Sequence, residues 1–167
     1  MAVVSALNEA GSRFLVAGGV AVNLHGYLRA TQDLDLVVGL AGDNALAAMR
    51  ALAALGYRPQ VPVAMEDFAD PVKRRDWVEN KGMEVFSVVS DFHPGTTVDV
   101  FVTEPFAFEE EYRLADRFEI APGVDVAAVR PEALIAMKRA VGRGRDWDDI
   151  QHLEWLLEEG SGGGTND

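Results

Sequence analysis

The chain has no cysteine. Disulfides and thiolate metal sites are therefore excluded, and the composition fits a reducing compartment. Histidine is sparse. His25, His93 and His152 lie scattered, with no spacing of the H-x-x-x-H kind that ligates metal. No apolar run approaches the roughly 18 residues of a membrane span. Met1 to Ala10 carries no basic segment, and Asn8 and Glu9 break its apolar stretch, so no signal peptide is expected. These absences predict a cytoplasmic protein with no membrane partner. Positive charge is in deficit, 15 Lys and Arg against 27 Asp and Glu, for a net charge of −12. A field of that sign repels polyanions, so nucleic acid could be held only by a local patch. One run qualifies: Arg130, Lys138, Arg139, Arg143 and Arg145 against the single carboxylate Glu132. Such runs are more often a solvated helix face than a binding site.

What remains is an ordinary globular composition, 49% hydrophobic and 25% charged, in a length that suits one domain. The spacing predicts a single α/β domain over residues 1–159 and a flexible Gly/Ser-rich tail over 160–167. Helices are expected over Val3–Ala10, Val20–His25, Asn44–Leu55, Glu132–Val141 and Asp146–Glu159, with Asp43 as a cap and a break at Gly142–Gly144. Glu66–Asn80 reads as a helix broken around Pro71. Its triplet Lys73-Arg74-Arg75 reads as solvated surface. Strands are expected at Phe14–Ala17, Asp33–Val38, Met83–Val89 and Thr97–Val102, the last two forming a hairpin, with a further pair at Phe118–Ala121 and Val124–Val129. Phe106–Asp116 adds acidic surface.

The informative stretch is Arg13–Val38. A buried strand ends at Gly18-Gly19, a short helix follows, and a second strand carries Asp33-Leu34-Asp35-Leu36. Alternation puts Asp33 and Asp35 on one face, roughly 6.5–7 Å apart along the backbone. Two carboxylates on an otherwise apolar strand repel each other and are costly to desolvate, and a divalent cation would relieve both costs. Gly18 and Gly19 permit close backbone approach, and the free N–H groups of the following helix suit phosphate oxygens. A tight packing turn explains a Gly-Gly pair equally well.

The string GG-x-A-x-x-x-HG-x-x-R-x-T-x-DLDL, Gly18 to Leu36, resembles the nucleotidyltransferase (polymerase-beta-like) superfamily, and most closely its AbiEii/AbiGii-toxin type. Leu134-Ile135-Ala136-Met137-Lys138 with Arg145-Asp146-x-x-Asp149-Ile150 resembles the C-terminal part of the same type. The chain departs from many members in carrying Gly19 where a serine touches phosphate, and in a long spacer from Gly19 to Asp33. The resemblance implies a nucleotidyltransferase fold, a mixed twisted sheet flanked by helices, with helices at the C-terminus. It also implies Mg²⁺-dependent transfer of a nucleotide from an NTP to a hydroxyl. Asp33 and Asp35 would bind metal, and Asp99, a lone carboxylate in an apolar strand, would be the third ligand and take the acceptor's proton. Two Mg²⁺ ions are expected. Gly18 and Gly19 would cradle the triphosphate and Lys138 would neutralise it. Arg29 would assist there, pair with Asp33, or simply be exposed. Asp146 and Asp149 would orient Lys138 or Arg145, contact base or ribose, or cap the last helix. His25 is expected to pack, and Trp77, Trp147 and Trp155 to serve core or interface.

The resemblance further implies a toxin–antitoxin or phage-defence role, with tRNA or a protein as acceptor and a cognate antitoxin as partner. The run Arg139–Arg145 could receive tRNA. A second reading is a small-molecule adenylyltransferase of the aminoglycoside or lincosamide kind, whose cationic acceptor suits the acidic composition. A third is a non-catalytic nucleotide- or partner-binding module.

Overall fold

The structure, a computed structural model, describes residues 1–142 and 144–162, without the side chains of residues 145, 161 and 162. The expected α/β architecture is present as a seven-stranded mixed sheet in the order β3-β4-β5-β2-β1-β7-β6. Its strands are β1 (Phe14–Val16), β2 (Leu34–Val38), β3 (Arg58–Pro59), β4 (Val85–Val89), β5 (Val98–Phe101), β6 (Asp116–Ala121) and β7 (Val124–Ala128). The helices are α1 (Ala2–Glu9), α2 (Gly18–Leu24), α3 (Asn44–Ala54), α4 (Pro71–Lys81), α5 (Phe108–Leu114), α6 (Pro131–Val141) and α7 (Gly144–Gly162), with a 3₁₀ turn at Met65–Ala69.

Strand directions at the centre of the sheet position the site. The chain leaves β1, makes α2 and a loop, and returns as β2 antiparallel to β1, with Val16 opposite Leu36. The start of α2 is thereby laid against Asp35, and the Ala17 N–H donates to the Asp35 carbonyl at 2.9 Å. On its other edge β2 runs parallel to β5, with Asp35 in register with Asp99. Strand β7 runs parallel to β1, with Ala128 opposite Val16. It delivers the chain to Pro131 and α6 at the same end of the sheet.

The core is one apolar cluster. The strands contribute Leu15, Val16, Leu36, Val37, Val98 and Val100, and the helices Leu7, Val22, Met49, Leu52, Leu134 and Leu153. Helix α3 packs on α1, β2 and the 3₁₀ turn, and α6 packs on α7 and α2. The expected break near Pro71 falls between the 3₁₀ turn and α4, where Asp70 accepts from the Val72 and Lys73 N–H groups as an N-cap. Gly142 closes α6 in the left-handed region at φ 67°, a conformation that a Cβ would penalise.

Several expectations change. Asp43 makes no cap hydrogen bond. Asn44 instead ties the chain together, accepting from the Arg13 N–H and donating to the Arg13 and Gly39 carbonyls. The acidic segment before Asp116 folds as α5, because Phe108 finds the core and Glu111 finds Arg130. Helix α7 continues through Gly162, so the tail expected from residue 160 is helical at its start, and residues 163–167 lie outside the described ones. Arg74 is buried, donating to the Phe68 carbonyl at 2.5 Å with its guanidinium over the Phe68 ring. A side chain that lays its stem on apolar surface need not follow the exposure of its neighbours Lys73 and Arg75.

Candidate active site

A cavity of about 520 Å³ opens where α2, β2, β5 and α6 meet. Gly18, Gly19, Arg29, Asp33, Asp35, Asp99, Lys138 and Asp146 all line it. These eight residues, expected from the sequence to bind metal or nucleotide, thus line a single space. Parallel pairing accounts for the carboxylates. Asp35 and Asp99 sit side by side on neighbouring strands, about 4.8 Å apart in the pairing direction, and Asp33 follows one pleat before Asp35 on the same face.

Asp33 is exposed, while Asp35 and Asp99 are half-buried. The Ser87 hydroxyl, opposite Asp99 across the β4–β5 hairpin, donates to Asp99 Oδ1 at 2.5 Å. The Asp35 carboxylate lies over Gly18. A Cβ at Gly18 would fall 1.9 Å from Asp35 Oδ2, and the backbone there has φ +57°. Glycine at 18 is therefore required twice, for its conformation and for the space Asp35 occupies. Gly19 is a second close approach, since a Cβ would come within 2.7 Å of Thr31 Oγ1 and 2.9 Å of Arg29 Nη2.

The cationic wall is organised by Asp149, which is fully buried. Arg29 donates to it through Nε at 2.7 Å and Nη2 at 2.8 Å, and the Lys138 ammonium sits at 2.7 Å. Lys138 also reaches Asp146 at 3.4 Å. Burial alone would raise the Asp149 carboxyl, but hydrogen bonds from Arg29 and Lys138 outweigh it and hold the group below the usual carboxylate range. Of the roles open to Arg29, neither pairing with Asp33 nor free exposure is realised. Its partner lies 120 residues away. Asp146 is placed to orient Lys138, one of the roles left open for it.

Among the described residues no three acidic or histidine side chains are gathered tightly enough to cage a metal ion. Asp33, Asp35 and Asp99 share the cavity without closing on one another, as three like charges should. The donor set nevertheless fits Mg²⁺. That ion prefers hard oxygen ligands and is commonly held by one or two carboxylates, with water and substrate phosphates completing its shell. Asp35 and Asp99 supply such a pair, and Asp33 a third oxygen donor at the mouth.

The basic run does not form a nucleic-acid patch among its described members. Arg130 is held by buried Glu111, with Nη2 to Oε2 at 2.8 Å, and this contact raises its pKa. Lys138 is held by Asp149, and Arg139 donates to Glu154. Arg143 and the Arg145 side chain lie outside the described residues. His25 packs as expected, with Nε2 2.9 Å from the Val129 carbonyl and its ring edge-on to Phe118. Trp77 stacks on Phe86 in the core, while Trp147 and Trp155 are exposed.

No protein-family model matches the sequence, and no curated protein matches it significantly. The folded chain does have solved counterparts. It superposes on the lincosamide antibiotic adenylyltransferase LnuA bound to lincomycin with a TM-score of 0.58 and 11% identity, covering 89% of this chain and 90% of that one. The fold is that of a nucleotidyltransferase. The antibiotic-resistance factor ANT(2'')-Ia in solution gives a TM-score of 0.59 and 15% identity over 93% and 80% of the two chains. Its complex with adenylyl-2''-tobramycin gives 0.53 and 14% over 92% and 90%. At these identities the likeness is one of architecture alone.

Three residues carried no site role in the sequence: Ser87, which donates to Asp99, and Glu84 and Phe101, which line the cavity. Asp149 was open between orienting Lys138 or Arg145, contacting base or ribose and capping the last helix, and its contact with Lys138 is the first of these. Hairpin register could have pointed to Ser87, because it stands opposite Asp99. Nothing local points to Arg29 as the partner of Asp149.

Proposed function

We propose that this chain is a Mg²⁺-dependent nucleotidyltransferase that moves a nucleotide from an NTP to a hydroxyl of a small, cationic acceptor. The observation that carries the reading is the parallel registration of Asp35 with Asp99 beside the α2 N-terminus, inside a cavity that Arg29 and Lys138 also line. Carboxylates and cations around one space suit a polyphosphate that arrives with its metal.

In this reading Asp33, Asp35 and Asp99 would hold Mg²⁺, which would supply polarisation of the phosphate oxygens and make the attacking hydroxyl more acidic. The chain's own groups do the rest. Gly18 and Gly19 let the triphosphate approach the backbone at the start of α2, where N–H groups are unpaired. Lys138 and Arg29 take up charge on the departing pyrophosphate. The Asp99 carboxylate accepts the hydroxyl proton as the acceptor oxygen bonds to the α-phosphorus and the bond to the pyrophosphate oxygen breaks. Ser87, donating to Asp99 Oδ1, orients that carboxylate.

The acceptor is inferred from charge. Glu84 and Asp33 add negative charge at the mouth, and Val85, Phe101 and Met137 add apolar surface. A compact hydroxylated amine matches both. Two of the structural counterparts named above carry an antibiotic or a nucleotidylated antibiotic, which supports the same class. The string Gly18–Leu36 favours the toxin-type alternative, with tRNA or a protein as acceptor and an antitoxin as partner. The pairing of the run's described members Arg130, Lys138 and Arg139 with Glu111, Asp149 and Glu154 weighs against it.

The test is transfer of label from each of the four α-labelled NTPs, with Mg²⁺, to a panel of aminoglycosides and lincosamides, to tRNA, and to cell extract. Label on a small cationic acceptor, lost in Asp35→Asn, is the expected result. Label on tRNA alone moves the protein to the toxin type. No transfer to any acceptor, with metal-dependent nucleotide binding intact, leaves a binding module and ends the catalytic reading.

A further inference from the structure

We infer that Asp149 is a positioning residue that aims two cations, Arg29 and Lys138, at one bound polyphosphate. This rests on the reading that the cavity takes an NTP. A fully buried carboxylate is costly to desolvate and persists only when it is well paired. Asp149 is paired three times over, by Arg29 Nε, Arg29 Nη2 and Lys138 Nζ. Those contacts join three elements far apart in the chain: the loop before β2, α6 and α7.

The geometry of the guanidinium gives the pairing a direction. Arginine offers five N–H donors in a planar fork. Asp149 takes the edge formed by Nε and Nη2, and the Ala30 carbonyl accepts one hydrogen from Nη1 at 3.2 Å. One N–H on each of Nη1 and Nη2 is left, and that terminal edge lies against Gly19, where a Cβ would sit 3.0 Å from Nη1 and 2.9 Å from Nη2. Gly19 and Arg29 both line the cavity. The grip on one edge therefore presents the other edge to the ligand.

The loop that carries Arg29 is itself fixed. Asn23 on α2 accepts from the Arg29 N–H at 3.0 Å and donates to the Arg29 carbonyl at 2.9 Å. Tyr27 stacks on His152 of α7, with ring centroids 3.5 Å apart. A backbone pinned from α2 and a side chain pinned from α7 leave the guanidinium one orientation. Lys138, a flexible point charge, has its position set by the same carboxylate and by Asp146. Gly19, with no side chain, is what allows the fork this close.

The experiment measures binding of Mg²⁺-tripolyphosphate, which has phosphates and no base, and separately of adenosine, by calorimetry. The proteins are the wild type, Asp149→Asn, Arg29→Lys and Arg139→Ala. Asp149→Asn and Arg29→Lys should each weaken tripolyphosphate about tenfold or more and leave adenosine affinity unchanged. Arg139→Ala removes one charge outside the cavity and should change neither. Combining Asp149→Asn with Arg29→Lys should cost less than the product of the two single losses, because one arrangement is lost once. Arg29→Lys keeps a cation beside Asp149 but loses the fork, so it decides the question should Asp149→Asn fail to fold. Wild-type tripolyphosphate affinity in Arg29→Lys, or equal losses for tripolyphosphate and adenosine, overturns the positioning role. No tripolyphosphate binding by the wild type overturns the NTP reading itself.

Discussion

Replacing Gly18 with alanine separates backbone strain from damage to the site. At φ +57° an alanine incurs the left-handed penalty, about 1–2 kcal/mol. For a chain of this size that corresponds to a fall in Tm of roughly 2–8 °C. The new Cβ also lands 1.9 Å from Asp35 Oδ2 and 2.6 Å from its Cγ. Contacts under 3.0 Å are essentially never seen, so the carboxylate must move by about 1 Å or leave its rotamer. A displacement of that size at a reacting centre can cost on the order of 100-fold in rate. Gly123→Ala is the matched control. It has φ +72° and nothing within 4 Å of the added atom, in the turn between β6 and β7. Thermal melts of the two variants should therefore agree within a few degrees, while nucleotide transfer, assayed with whichever acceptor is labelled, falls about 100-fold in Gly18→Ala only. Gly18→Ala retaining the rate of Gly123→Ala would refute the placement of Asp35 at the reacting centre.

Asp35→Asn and Asp99→Asn should each reduce transfer at least 100-fold, as loss of a metal ligand does, while leaving the melting temperature equal or higher because carboxylate repulsion is eased. A large drop in Tm would mark these residues as structural instead. Chelation with EDTA should abolish transfer, and added Mg²⁺ should restore it; activity that survives chelation contradicts the metal assignment. Arg74→Ala leaves the Phe68 carbonyl without its buried donor, at a cost of about 2–3 kcal/mol and a Tm lowered by roughly 4–12 °C, with the rate at saturating substrate unchanged. Because Asp149 titrates below its ordinary range when folded, its contribution to stability is complete above an unfolded pKa of about 3.9 and is lost as the pH falls through the lower folded value. Urea unfolding of the wild type and Asp149→Asn should show a constant gap from pH 7 to about 5, narrowing only below about pH 4; a gap that closes near neutrality is inconsistent with that direction.

Much of the sheet was legible because strands advertise themselves by alternation. Leu34, Leu36 and Val38 against Asp33, Asp35 and Val37 can be sorted by eye, and the β4–β5 and β6–β7 hairpins follow from their turns. Pairing direction was not legible. Nothing within Phe14–Val16 says that it lies antiparallel to β2 and parallel to β7, since both faces of that strand are buried and its run is uniformly apolar. Helix α5 was hidden by its three consecutive glutamates, which read as surface. Only the partner Arg130, held from across the fold, makes Glu111 a buried residue. The carboxylates and glycines of the cavity were visible as local violations of pattern: acidic residues in apolar strands and a glycine pair where a helix begins. Arg29 was visible as a charge, and its role was not, because its carboxylate partner is 120 positions away.

The same distinction decides what the net charge means. Counted along the chain, Arg130 to Arg145 is a basic island in a protein of charge −12. In the fold, Glu111, Glu154 and Asp149 reach that island from elsewhere and neutralise three of its cations. Among the described residues the cavity then carries Asp33, Asp35, Glu84, Asp99 and Asp146 against Arg29 and Lys138, which share the single carboxylate of Asp149. Such a surface repels a bare triphosphate and attracts divalent cations first. On the proposed reading Mg²⁺ would offset the carboxylates. Arg29 and Lys138, held by Asp149, would then face a ligand they can hold, and the acidic mouth would draw a positively charged acceptor.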